Sequence, residues 1–303
     1  MISKRFIALA LLAAAGAASA FCAPHAGAKP LVAVSILPQR YFVERIAGDR
    51  FRTIVIVGPG QSPHSYEPSP RQMADLSGAA AWFVVGVEFE RALVPKISSL
   101  YPSLSIVDTT ADVVFRRLDA HEHEAEGIEA GGEHDDESAP DPHVWLGRAP
   151  VIAQARIIRD ELIRMDPAGQ ATFMKNFEAF VRDIDAVFDD LVRELAPLRG
   201  KPVFVYHPSF GYFFDEFGIV QVAVETGGKE PTQRGLTELA ARAKKEGAAA
   251  IFVQAQFPTA AAKTLAKSLG GSVVPMDSLA PDWLDNLKRM GLSLRGAHKG
   301  TSR

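Results

Sequence analysis

One run of apolar residues divides this chain in two. Phe173, Phe177, Phe180, Ile184, Val187, Leu191 and Leu195 recur at steps of three and four, the spacing that lines one face of an α-helix. Asp166 is placed to cap such a helix, Pro167 to begin it, and Pro197 with Gly200 to end it. A helix over 166–197 would run about 45 Å at 1.5 Å per residue. It holds only about four heptads and has no coiled-coil flanks, so it reads as a connector. Both flanks carry short apolar runs instead. Before the stripe these are LVAVSI (31–36), TIVIV (53–57), WFVVGV (82–87) and LSIVD (104–108). After it come PVFVYH (202–207), IVQVAV (219–224), AAIFVQ (249–254) and SVVPMD (272–277). Such runs, bounded by helical stretches, describe parallel strands buried on both faces. Helices are expected from Pro38 to Gly48, from Pro70 behind a Ser69 cap, and over roughly 233–246 and 257–268. The expected fold is α/β. Two parallel-sheet lobes, 29–165 and 198–303, are joined by a long, rigid linking helix over 166–197. A stiff connector of this kind disfavours large hinge closure.

The first residues do not belong to that pattern. Lys4 and Arg5 precede an apolar run from Phe6, and Ala18-Ser19-Ala20 forms a small-x-small site. This reads as a signal peptide over 1–20, with cleavage possible as late as residue 28. The apolar core is too short for a membrane span. Cys22 suggests lipid anchoring, but Phe21 stands where a small residue is required, so the mature protein reads as unanchored and periplasmic. The near-even balance of 33 bases and 36 acids excludes the basic stripe of a nucleic-acid binder. A single cysteine excludes an internal disulfide and a thiolate zinc cluster. The glycines at 58–60 and 227–228 lack the Lys-Ser/Thr of a phosphate-binding loop. The stretch 119–142 is acidic, carries His121, His123 and His134, and has almost no large apolar residue. It cannot bury enough surface to order itself and is expected to be a surface loop of the first lobe.

Four residues share a position type. His64 lies in the loop after 53–57, His207 ends 202–207, and Asp277 ends 272–277. His143 stands where the acidic stretch returns to patterned sequence. Ligands of open α/β sheets bind beyond the carboxyl ends of the strands. Two residues from each half therefore suggest one site between the lobes. Three imidazoles and a carboxylate satisfy tetrahedral Zn²⁺, and they suit it better than Ca²⁺ or Mg²⁺. A complete set of four leaves no position for reactive water, so the site reads as holding metal rather than catalysing with it. Taken singly, a His at a strand end is more often a structural hydrogen-bonder than a ligand, and Asp277 reads equally as a helix cap near Pro281. Glu67 and Asp141 are candidate supporting carboxylates.

GQSPHSYEPSP (60–70), DPHVWL (141–146), VYHPSFGYFFDEFGI (205–219), GKEPT (228–232) and MDSLAPDWLDNLKRM (276–290) resemble the zinc/manganese-type (cluster A-I) solute-binding proteins of ABC transporters. The resemblance covers roughly residues 31–292. It implies two lobes joined by a long helix, a metal in the cleft, and delivery to a membrane permease. Carried over residue by residue, it implies His64, His143, His207 and Asp277 as ligands. Manganese-type members tend to have a carboxylate where this chain has His207, which tilts the cargo to Zn²⁺ over Mn²⁺. Zinc-type members often carry a longer, more His-rich loop at the acidic stretch. Here the loop reads either as an auxiliary zinc site (His121, His123, His134) or as a solvated loop with incidental histidines. The tail GLSLRGAHKGTSR departs from the family's helical ending and is expected to fray; His298 and His25 read as incidental.

The resulting expectation is a monomeric periplasmic zinc-binding protein, not an enzyme, that serves a permease. It would bind no nucleic acid, and a periplasmic metallochaperone is a possible further partner. The alternatives are a manganese carrier, a zinc chaperone or adhesin, and a secreted zinc hydrolase. The last lacks an H-E-x-x-H helix or a G-x-S-x-G elbow.

Overall fold

The computed structural model describes residues 29–117, 140–225 and 229–300. The signal segment, Cys22, His25, and the acidic stretch with His121, His123 and His134 lie outside the described residues. Among those described, no helix is long and apolar enough to cross a membrane.

The first lobe holds β1 (Leu31–Val34), α1 (Leu37–Ala47), β2 (Arg52–Val55), α2 (Pro70–Ser77), β3 (Ala81–Val84), α3 (Glu88–Leu100) and β4 (Ser105–Asp108). Its strands form one parallel sheet in the order β2-β1-β3-β4. The central strands carry Val32, Ala33, Val34 and Ala81, Trp82, Phe83, all fully buried. That is why they read as continuous apolar runs rather than alternating ones. Pro38 sits in the first turn of α1, and Gly48 stops it at φ +60°, a conformation that side chains resist. Ser69 caps α2 in a reciprocal box with Gln72, an arrangement contributing about 1 kcal/mol.

The second lobe repeats the plan with β5 (Pro202–Val205), a short α6 (Gly211–Asp215) after α4 and α5 described below, β6 (Val220–Ala223), α7 (Gln233–Lys245), β7 (Ala250–Val253), α8 (Ala260–Ser268) and β8 (Ser272–Pro275). The sheet is again parallel, in the order β6-β5-β7-β8. In both sheets the chain steps to one side of the first strand and then to the other. The first strand of each lobe therefore borders a switch point, where crevices open in such sheets.

Between the lobes the chain makes a helical hairpin. α4 (Arg148–Met165) leads through a tight turn at Pro167–Gly169 into α5 (Gln170–Leu195). α5 is 26 residues long, about 39 Å. The apolar stripe is its buried face: Phe173, Phe180, Ile184, Val187, Leu191 and Leu195 are all buried, joined by Phe188. Phe177 is half-buried and stacks under the Arg159 guanidinium. Asp166 stands at the N-cap position of the Pro167–Gly169 turn that leads into the helix. Its carboxylate bonds Arg50 in the first lobe, and the α-helix proper begins only at Gln170. α4 buries Val151, Ala155, Ile158 and Leu162 and packs along α5.

The tail is also helical, contrary to the expectation of fraying. α9 (Trp283–Gly300) is continuous. Leu287, Met290 and Leu294 are buried, and Arg295 pairs with Glu194 at 3.1 Å. Gly291 lets α9 approach α5 closely; a Cβ there would stand 2.3 Å from Leu191 Cδ2. Side-chain removal at one residue thus buys contact along a whole helix.

One core runs through α1, α4, α5, α9 and both lobes, while a smaller core lies beneath α7 and α8. Trp283 is at the junction. Its ring meets Phe42 at 5.1 Å, Phe180 at 6.1 Å and Tyr41 at 6.4 Å, so the C-terminal helix is packed onto the first lobe. A shared core of this size makes the two lobes mechanically coupled.

Candidate metal centre

The carboxyl ends of both sheets face one small cavity of about 10 Å³. His64 reaches it from the loop between β2 and α2, and His207 from the end of β5. His143 arrives from the segment after β4, immediately before a helical turn at Val144–Leu146. One ring nitrogen from each of the three lies within 4.8 Å of the others. Ring centroids are 4.6 Å (His64–His207), 5.1 Å (His143–His207) and 5.5 Å (His64–His143) apart. The Nε2 atoms of His143 and His207 approach to 3.1 Å. His143 and His207 are buried and His64 is half-buried.

Each imidazole has a carboxylate on its Nδ1. Asp141 Oδ1 lies 2.7 Å from His143 Nδ1 and also accepts the His143 amide at 2.9 Å. Glu225 Oε1 lies 2.6 Å from His207 Nδ1. Glu88 Oε2 lies 2.8 Å from His64 Nδ1. A carboxylate there fixes the Nδ1–H tautomer and leaves the Nε2 lone pair free. Three such lone pairs converging on one cavity repel one another unless a cation sits among them. The donor set fits a borderline metal of the zinc type.

The electrostatics agree. Burial pushes His207 down to about 4, against the opposing pull of Glu225. His207 is therefore a neutral ligand throughout the physiological range. Burial opposes ionisation of Glu88, but the hydrogen bond and charge of His64 outweigh it and hold the carboxyl at about 2. Burial also opposes ionisation of Asp141, yet His143 and Arg116 keep it below the usual carboxylate range. Arg116 donates to Asp141 at 2.7 Å and to Asp215 at 2.9 Å, and so ties this carboxylate to the second lobe. Replacing Asp141 by Asn or Glu225 by Gln is expected to weaken metal affinity by roughly 10–100-fold, the usual cost of losing such an orienting partner. Competition against a chromophoric chelator measures it. An unchanged affinity in both variants would refute the orienting role.

Asp277 is not brought into this group. Its Oδ1 accepts the Leu279 amide at 2.8 Å, and Asn286 donates to its backbone carbonyl at 2.6 Å. The next two residues, Ser278 and Leu279, do line the cavity. Glu67 is exposed. Glu88 and Glu225 escaped the sequence reading, yet each immediately follows a strand run, at 82–87 and 219–224. The rule that picked out His207 would have picked out both.

Three imidazoles gathered between two parallel-sheet lobes on a helical spine define a metal-type solute-binding protein. Residues 32–296 match the family described as "Zinc-uptake complex component A periplasmic". The zinc-binding lipoprotein AdcA of Streptococcus pneumoniae serotype 4 is 30% identical over 261 residues, 85% of this chain and 51% of that protein. This chain thus spans about half the length of that curated relative. A crystal structure of ZnuA superposes with a TM-score of 0.81 at 31% identity, over 89% of this chain and 99% of the other. A ZnuA deletion mutant with zinc bound gives 0.79, also at 31% identity, over 89% and 98%. The chain belongs to the family of the zinc-uptake complex component A.

Proposed function

We propose that this protein binds one Zn²⁺ between its lobes in the periplasm and delivers it to the permease of an ABC importer. The observation that carries the reading is the convergence of three imidazole nitrogens, each ring held from behind by a carboxylate. His64, His143 and His207 are the ligands. An oxygen donor completes the set; Asp277, whose Oδ1 accepts the Leu279 amide, is the candidate carboxylate and has its second oxygen to supply. Nitrogen donors favour Zn²⁺ over Mn²⁺, which prefers carboxylate, carbonyl and water oxygen. A relative and a superposing structure whose names specify zinc support the same cargo. The ligand set closes around the ion, which suits a carrier rather than a hydrolase. Residues 1–20 act as the export signal, the two lobes flank the helical connector, and the protein works as a monomer.

Calorimetric titration of metal-free protein tests this reading. One Zn²⁺ should bind tightly, far above Mn²⁺; tighter binding of Mn²⁺ would overturn the choice of cargo. Affinity should fall with acid, because the ligands bind metal only as neutral imidazoles. The metal-free fold has its own pH dependence through His207. Its folded pKa of about 4 is below the ordinary value of 6.5, so between those values the unfolded chain takes up the proton and the folded one does not. Stability from this group is full above 6.5 and is lost as pH falls towards 4. A His207→Gln variant should lose less stability than the parent across that window. Equal losses in urea unfolding would contradict the assignment.

A further inference from the structure

Arg116 touches both lobes behind the metal centre. It follows β4 in the first lobe. Its Nη1 donates to Asp141 Oδ2 at 2.7 Å, and its Nε donates to Asp215 Oδ2 at 2.9 Å. The other oxygen of Asp141 is the one on His143 Nδ1, at 2.7 Å. Asp215 ends α6, the helix that begins at Gly211, shortly after His207. The guanidinium thus stands between the support of His143 and the element that follows His207, two ligands whose Nε2 atoms are 3.1 Å apart. The backbone repeats the link. The Arg116 amide donates to Tyr212 Oη at 3.0 Å, the Tyr212 hydroxyl donates to the Asp141 carbonyl at 2.9 Å, and the Asp141 amide donates to the Arg116 carbonyl at 3.0 Å. Gly211 completes the seat. A Cβ there would stand 2.0 Å from Arg116 Nη1, so a bare backbone is what lets the guanidinium lie against α6. Exposed ion pairs contribute little, but here the Arg116 side chain is 13% exposed and that of Asp141 0%. A buried carboxylate that loses its cation is strongly unfavourable where it stands.

We propose that Arg116 is a positioning residue that couples the apposition of the lobes to the hold on the ion: gripped by Asp215, Tyr212 and Gly211 of the second lobe, it keeps Asp141 on His143, and parting the lobes at this point releases the ion. The inference rests on the zinc reading of that site and adds its regulation. A displacement of about 1 Å takes hydrogen bonds of this length out of range, so the latch opens without a large hinge motion. Arg116 also borders a cavity of about 400 Å³, shared with Tyr212 and Asp215, which gives the guanidinium room to leave its partners. Once it leaves, Asp141 no longer holds the His143 ring in place, and the ion loses one of its three oriented imidazoles.

The test compares the parent with Arg116→Gln, Arg116→Lys, Gly211→Ala and Asp215→Asn, each checked by thermal unfolding. Arg40→Gln, which removes an exposed pair with Glu44, is the control. The readouts are Zn²⁺ affinity by chelator competition, the Zn²⁺ dissociation rate in a chelator chase, and the visible spectrum of the Co²⁺-loaded protein. Arg116→Gln should weaken Zn²⁺ by about tenfold, mostly through faster dissociation, and shift the Co²⁺ bands. Arg116→Lys should not restore the parental rate, because an ammonium lacks the fixed fork that spans two carboxylates. Gly211→Ala should reproduce the loss while removing no charge and leaving thermal stability unchanged. Asp215→Asn should speed dissociation in the same direction by less, and Arg40→Gln should match the parent. In an Asp141→Asn background the effect of Arg116→Gln should largely vanish, since both act through one carboxylate. Parental dissociation in Arg116→Gln and Gly211→Ala, losses that add fully to Asp141→Asn, or a parental rate in Asp215→Asn would overturn the proposal. A parent protein that fails to bind Zn²⁺ at all would instead overturn the zinc reading beneath it.

Discussion

The variant carrying His64→Ala, His143→Ala and His207→Ala is expected to bind no Zn²⁺ tightly while remaining folded. Each ring contributes one nitrogen to a cluster within 4.8 Å, and no other His, Cys, Asp or Glu among the described residues joins it. Removing a ligand also strands its carboxylate partner, so the loss exceeds a single bond. Each single substitution should weaken binding by more than about 100-fold, the upper end of the cost of losing only an orienting partner. The fold should survive, because the apolar core runs through α1, α4, α5 and α9 and is built from other side chains. Deleting residues 120–137 should leave the tight site untouched, since the three clustered imidazoles, at 64, 143 and 207, all lie outside that stretch. Calorimetric stoichiometry checks both. Parental binding in the triple variant would show that the metal lies elsewhere.

Trp283→Ala is expected to give the largest loss of stability, about 3–5 kcal/mol, as for other large-to-small changes at buried aromatics. Trp283 is fully buried against Tyr41, Phe42 and Phe180, residues from the first lobe and from the connector. Its indole N–H donates to the Trp145 carbonyl at 2.7 Å. The Trp145 indole in turn donates to the Ser278 carbonyl at 2.8 Å, and its ring lies edge-on to His143 at 5.3 Å. The substitution therefore removes core packing and loosens the segment that aims His143. Urea unfolding should show the stability loss, and chelator competition a weaker Zn²⁺ site. Trp283→Phe, which keeps most of the volume and drops the N–H, should cost less. A Trp283→Ala loss below about 1 kcal/mol would contradict the cross-lobe role, since exposed positions change stability by only about half that.

Much of this was legible because strand ends and helix faces leave strong periodic signals. The eight strand runs each overlap a strand, and the stripe from Phe173 to Leu195 is the buried face of α5. The three His were legible because parallel sheets present ligands at strand ends. α4 was not recognised, although Val151, Ala155, Ile158 and Leu162 have helical spacing. It lies beside the unpatterned acidic stretch, and the stripe that follows drew the connector as a single helix. The tail misled for a different reason. Its sequence departs from the family's helical ending, but Gly291 serves close packing against Leu191, a tertiary fact without a local signature. Glu88 and Glu225 were hidden by type rather than position: single acids after a strand look like surface solvation until an imidazole is found opposite them. Asp277 ends the last strand run, and its Oδ1 accepts the Leu279 amide.

Zinc K-edge X-ray absorption on the one-to-one complex tests the central claim most directly. The account predicts three imidazole nitrogens and one light oxygen ligand at about 2.0–2.2 Å with no sulfur. The imidazole scattering should persist when residues 120–137 are deleted. A first shell with fewer than two imidazoles, or one that disappears with the loop, would contradict a zinc site built from His64, His143 and His207.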